Sequence, residues 1–142
     1  MSETKTITDT NVIAERYRAA VEDRDLDALA KLYDPDVLLD AHVPNWRFQV
    51  QGRHAVAETT GTGLPGPGRF VTFDTEPTAS GDLLVQFEWH QDEVQGGHRS
   101  RELHVWRLDD AGRITEQVVF CAGIWDPQLQ AQMADEAPLI RP

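Results

Sequence analysis

The sequence predicts one α+β domain in which N-terminal helices pack on a bent antiparallel sheet that encloses a pocket. Apolar residues recur at helical spacing near the N-terminus, later segments alternate apolar with polar residues, and glycine and proline mark the boundaries between them. A length of 142 residues suits one domain, and 40% apolar residues is the content of a globular chain. Residues 1–8 read as a flexible tail, 9–128 as the domain and 129–142 as a C-terminal tail.

Residues 9–23 form the first predicted helix, capped by Asp9 or Thr10, with Val12, Ile13, Tyr17, Ala20 and Val21 on one apolar stripe. Asp25 caps a second helix whose Leu26, Leu29, Ala30, Leu32 and Tyr33 face inward, and Pro35 ends it. A hairpin follows, with strands at 37–43 and 46–51 around the turn Pro44-Asn45. Gly52 breaks to a short helix at 53–60, and the Gly/Pro loop 61–68 is placed as a pocket rim or lid. Strands at 69–76, 82–94, 98–108 and 113–125 make a meander; in the second of them Val85, Phe87 and Trp89 alternate with Gln86, Glu88 and His90. Pro127 ends the last strand, and the tail holds a helical turn or two around residues 129–134.

Thirteen Lys+Arg against 24 Asp+Glu give a net charge of −11, which repels phosphate backbones and anionic membranes. Nucleic acid and membrane are therefore not expected partners. Cys121 is the only cysteine, so an intrachain disulfide is impossible. The first ten residues lack the apolar core of a signal peptide, and no apolar run approaches the roughly 18 residues of a membrane span. The cytoplasm is the expected compartment. His42, His54, His90, His98 and His104 form no compact ligand motif, and no Gly-rich phosphate loop is present. Neither a metal nor a cofactor is expected.

Three stretches carry a resemblance that spans nearly the whole chain. They are Arg16-Tyr17 through Asp25-Leu26-Asp27-Ala28-Leu29 to Leu32-Tyr33-Asp34-Pro35-Asp36-Val37; Gly52-Arg53-His54-Ala55-Val56; and His104-Val105-Trp106-Arg107-Leu108-Asp109 with Gly112-Arg113-Ile114. The chain resembles the cone-shaped family that includes nuclear transport factor 2, polyketide cyclases of the SnoaL kind and ketosteroid isomerase. The resemblance implies a cone fold that hosts unrelated chemistries. Against ketosteroid isomerase it places Tyr17 on the oxyanion-hole tyrosine, Tyr33 on a supporting tyrosine and His104 on a hydrogen-bond-donating aspartate. The isomerase's general base falls on Ala41, one position past Asp40. A one-residue slip turns a strand side chain to the opposite face, so either a bulge rescues Asp40 or the isomerase base is absent. The departure argues against steroid isomerisation.

His104, Asp40 and Tyr17 are the candidate catalytic residues. His104 sits mid-strand with Glu102 and Trp106 on its face; it either projects into the pocket as acid or base, or is a buried histidine satisfied by Glu102. Asp40 ends an apolar run, either as a base or as a solvated strand end. His42 shares its parity. Tyr17 lies on the apolar stripe of the first helix, and Tyr33 reads as packing. Trp46, Trp89 and Trp106 with Phe87 are candidate pocket walls, and Cys121, on the parity of Gln117 and Val119, is a small apolar wall group. These residues point to a cofactor-independent enzyme that isomerises, dehydrates, cyclises or hydrolyses a small, largely apolar molecule by proton transfer. The alternative is a non-catalytic binding module of the same fold. Both faces of the last strands are apolar, which predicts a homodimer.

Overall fold

The computed structural model describes residues 7–141. Its elements run α1 (Ile7–Glu22), α2 (Leu26–Ala30), β1 (Tyr33–Val43), β2 (Trp46–Gln51), α3 (Arg53–Gly63), β3 (Gly68–Pro77), β4 (Leu83–Gln91), β5 (Arg99–Leu108), β6 (Ile114–Trp125) and α4 (Pro127–Glu136). Residues 1–6 of the expected tail lie outside the described residues. The first helix begins at Ile7, two residues before the expected cap Asp9. No helix among the described residues is long and apolar enough to cross a membrane.

Helix α1 buries Ile13, Ala14, Tyr17, Ala20 and Val21; Val12 is 42% exposed and falls off the stripe. The Asp25 carboxylate accepts the Ala28 N–H at 3.0 Å and starts α2. The second helix stops at Ala30 rather than running to Tyr33, which already opens β1. Pro35 disfavours helical geometry in the residue before it, and its missing N–H falls where the register between Tyr33 and Leu38 is irregular. The third helix instead runs past residue 60, through Gly61 to Gly63. A β-carbon at Gly61 would collide with the Leu26 side chain, so glycine lets α3 close on α2. The expected C-terminal tail contains α4, capped by Asp126, which accepts the Leu129 N–H at 2.7 Å.

The six strands form one sheet in the order β2-β1-β6-β5-β4-β3. Every neighbouring pair is antiparallel except β1 and β6, which run parallel, so the sheet is mixed. Helix α3 and the meander lie between these two strands in sequence, and the last strand returns to the first in the same direction. Alternation along β5 turns Ser100, Glu102, His104 and Trp106 toward the helices and Arg101, Leu103 and Arg107 away. The register of β5 and β6 slips between Ser100 and Glu102. Opposite that slip Gly123 takes φ +119, and the Ser100 hydroxyl donates to its carbonyl at 2.8 Å. The extra residue resets the alternation, so Cys121 and Ile124 both turn to the helix side.

The core lies between the inner sheet face and α1–α3, with Leu29, Tyr33, Val56, Leu83, Val85 and Trp106 fully buried. Each large side chain of this kind stabilises the fold by about 1.5–3 kcal/mol relative to exposure. Arg24, at φ 55, reaches from the α1–α2 turn to the end of α3, donating to the Gly61 and Leu64 carbonyls at 3.1 Å each. These are orphan acceptors of a helix terminus. Replacing Arg24 with alanine is expected to lower stability by about 1–2 kcal/mol, read as a shifted urea midpoint at unchanged slope. An unchanged midpoint would mean the guanidinium does not hold α3.

Candidate active site

Between α1, α3 and the inner faces of β1, β2, β5 and β6 lies a cavity of about 260 Å³. Leu39, Ala41, Val43, Phe48, Val119 and Ile124 give it apolar walls. Its polar groups are few: Tyr17, Thr59, Thr60, Glu102, His104, Gln117 and the Cys121 thiol. A larger groove of about 810 Å³ at the end of the sheet is lined by solvated Arg69, Asp92, Glu93 and Arg99. It lacks the apolar enclosure of a small-molecule site.

A hydrogen-bond chain crosses the inner face of β5. The Trp106 indole N–H donates to His104 Nδ1 at 3.1 Å, and His104 Nε2 lies 2.8 Å from Glu102 Oε1. An indole nitrogen can only donate, so Nδ1 carries no proton and Nε2–H donates to the carboxylate. The imidazole then has no free lone pair for a substrate proton. Besides His104, Glu102 has the Cys121 thiol as a hydrogen-bond neighbour, and among the described residues it is the only carboxylate lining the cavity. The two side chains are 2% and 12% exposed, so the pair is held with little competition from water.

Tyr17 stands across from this chain, with its ring edge-on to His104 at 6.3 Å and against Trp106 at 4.6 Å. Its ring is buried, yet its hydroxyl has no hydrogen-bond partner among the described residues. No buried side-chain polar atom among these residues is left unsatisfied, so this hydroxyl opens on the cavity. Burial, then Tyr33 and Glu102 nearby, push its pKa well above the ordinary phenol value and keep it a neutral donor. Deeper in, the Tyr33 hydroxyl donates to Gln117 Oε1 at 2.7 Å, and Gln117 Nε2 donates to Thr60 Oγ1 at 3.0 Å.

Asp40 does not line the cavity. Leu39, Ala41 and Val43 take the inward positions of β1, and the pairing with β6 runs without a bulge from Leu38 to His42. Asp40 therefore faces outward, where Arg47 Nε and Nη2 each donate to it at 2.8 Å and hold its pKa below the usual carboxylate range. His42 faces outward too, donating from Nδ1 to the Val119 carbonyl at 3.2 Å and stacked on Phe120 at 4.7 Å. Trp46 is 71% exposed at the β1–β2 turn, because a hairpin tip has no layer above it.

The other expected wall aromatics are buried behind the cavity. Phe87 packs edge-on against Phe70 and His104, and the Trp89 indole donates to the Pro65 carbonyl at 2.7 Å. Trp106 and Tyr33 likewise support groups that line the cavity. Cys121 does line it; burial, then the neighbouring Glu102, raise its thiol pKa and disfavour a thiolate. Gly63 and Leu64 of the expected rim loop also border the cavity.

Sequence reasoning passed over Thr60 and the Leu39, Ala41 and Val43 face. The Asp40 slip was the available signal for that face, since whatever displaces Asp40 must put Ala41 inside. Nothing in the 53–60 segment singles out Thr60 from its threonine neighbours.

The SnoaL-like domain family matches this chain over residues 14–117. A solved structure from Mycobacterium tuberculosis superposes with a TM-score of 0.65 at 18% identity, covering 88% of this chain and 96% of its own. A SnoaL-like protein of unknown function from Burkholderia thailandensis gives 0.65 at 16%, with 84% and 99% covered. SalBIII, described as an epoxide hydrolase/cyclase-like enzyme in pyran ring formation of the polyether salinomycin, gives 0.65 at 14%, with 83% and 97% covered. At such identities these likenesses show the fold alone. No curated protein matches the sequence.

Tyr17 and Tyr33 are the only tyrosines, and burial is the chief cause raising the pKa of both. Their folded pKa values lie above the unfolded value of about 10, so the stability they protect is present below about pH 10 and lost as pH rises beyond it. Tyrosinate absorbance is expected only together with loss of native circular dichroism, in one cooperative alkaline step. Tyrosinate appearing near pH 10 in a still-native protein would show that one ring is not sealed.

Proposed function

Because this chain belongs to the family of SnoaL-like domains, we propose that it is a cofactor-independent acid–base enzyme acting on a small, largely apolar molecule. The observation that supports this most is the carboxylate of Glu102, held by His104 in an apolar cavity that a neutral tyrosine hydroxyl also faces. In this reading Glu102 takes a proton from a carbon, a hydroxyl or a bound water. Tyr17 donates to the oxygen on which negative charge develops. His104 is a positioning residue that orients the carboxylate, and Trp106 fixes its tautomer. Glu102 then returns the proton to the product or to solvent. Isomerisation, dehydration, cyclisation and epoxide opening all fit this pair. The fold shared with SalBIII, described as epoxide hydrolase/cyclase-like, lends this class support. A binding module is the second reading, favoured by Asp40 lying outside the cavity, which leaves Glu102 without a carboxylic partner.

We propose also that the protein works in the cytoplasm as a homodimer joined through the outer sheet face. Leu103 and Phe120 there are 38% and 46% exposed, with Val105 and Val118 half-buried beside them.

Two outcomes are expected. With a substrate found by screening epoxides, enones and hydroxy ketones, Glu102→Gln should lower kcat by about 10²–10⁴ while thermal unfolding stays near wild type. Turnover surviving in that variant would remove Glu102 as the base. Light scattering at micromolar concentration should give a dimer, and Phe120→Glu a monomer; a monomeric wild type removes the dimer.

A further inference from the structure

The direction of the hydrogen bonds behind the cavity assigns a role to Thr60. Tyr33 donates to Gln117 Oε1 at 2.7 Å, so the amide presents its nitrogen to Thr60, and Thr60 Oγ1 must accept at 3.0 Å. Gln117 is 1% exposed, so water does not substitute for either partner. The contact from Tyr33 to Thr60 is 3.5 Å, and the single tyrosine proton is already given to Gln117 over the shorter distance. Thr59 and Thr62 spend their hydroxyl protons on the carbonyls four residues back, Ala55 and Glu58, at 2.9 and 2.7 Å. Thr60 makes no such bond, and it lines the cavity. Among the described residues its proton has only the Tyr33 oxygen to go to, at 3.5 Å, well beyond the ordinary hydroxyl–hydroxyl distance.

Resting on the acid–base reading above, we infer that Thr60 is a specificity-determining donor, and that the cavity selects a neutral molecule with an oxygen acceptor, such as a ketone or ether, at the α3 end. Among the described residues Glu102 is the one charged group in the lining, and it disfavours an anionic molecule in so apolar a space. The cavity thus sets donors, Tyr17 and Thr60, against one acceptor, Glu102. A neutral oxygen function with an acidic hydrogen or an electrophilic carbon nearby satisfies both.

The test compares cyclohexanone with methylenecyclohexane, which has the same shape but no oxygen, by saturation-transfer NMR titration. Wild type should bind the ketone about 3- to 10-fold more tightly, the worth of one neutral hydrogen bond. Gln117→Glu keeps the Thr60 hydroxyl but turns its proton toward the introduced carboxylate, so the preference should vanish at high pH. It should return where that carboxyl is protonated and donates as the amide does. Thr60→Ser should keep the preference and Thr60→Val should lose it, which serves if the Gln117 variant fails to fold. A ketone preference that stays at the wild-type ratio in Thr60→Val, or in folded Gln117→Glu from about pH 6 to about pH 10, overturns the role of Thr60 and leaves the cavity reading standing. If neither probe binds wild type, the small-molecule reading of the cavity falls, and this inference with it.

Discussion

The Trp106 indole can give a proton and cannot take one, and the chemistry of the cavity depends on that asymmetry. It leaves His104 with its second nitrogen as a donor, aims that donor at Glu102, and so selects which residue meets a ligand as a base. A histidine in isolation is the usual first choice for proton transfer near neutral pH. Here its neighbours two positions away on the same strand face consume both ring nitrogens. Mid-strand burial excludes the water that would otherwise compete for these bonds.

Period-two alternation does the rest of the sorting. Asp40 and Ala41 are adjacent, yet one meets Arg47 on the outer face and the other an apolar cavity, because the pairing of β1 with β6 stays in register across them. The same strict alternation gives β5 an inner face of Glu102, His104 and Trp106 and an outer face of arginines and exposed leucine. Where a bulge does occur, at Gly123, the alternation resets, and Cys121 and Ile124 share the cavity side.

Helix α3 closes the other side and buries Val56 and Ala57 in the core. Gly61 lets it approach Leu26, and Arg24 ties its C-terminal carbonyls to the turn before α2. That placement brings Thr60 to Gln117 and Tyr33, and makes the direction of one amide a property of the ligand site.

Apolar spacing and turn residues were enough to read α1, the hairpin and the meander from the sequence, since these follow from periodicity within a segment; the family likeness rested instead on three particular residue stretches. Parity alone put Glu102, His104 and Trp106 on one face, and the slip at Asp40 marked that position as doubtful. The hydrogen-bond chain could not be read, because it depends on which ring nitrogen faces which neighbour. The parallel pairing of β1 with β6 was hidden too, since strand direction across a sheet is set by how the intervening chain returns. Nor could Thr60 be told from Thr59, because both are threonines on one short helix. Local sequence determined the elements and their buried faces; only the tertiary structure decided which polar groups meet, because a hydrogen bond depends on the position and direction of both partners, and these lie up to 84 residues apart.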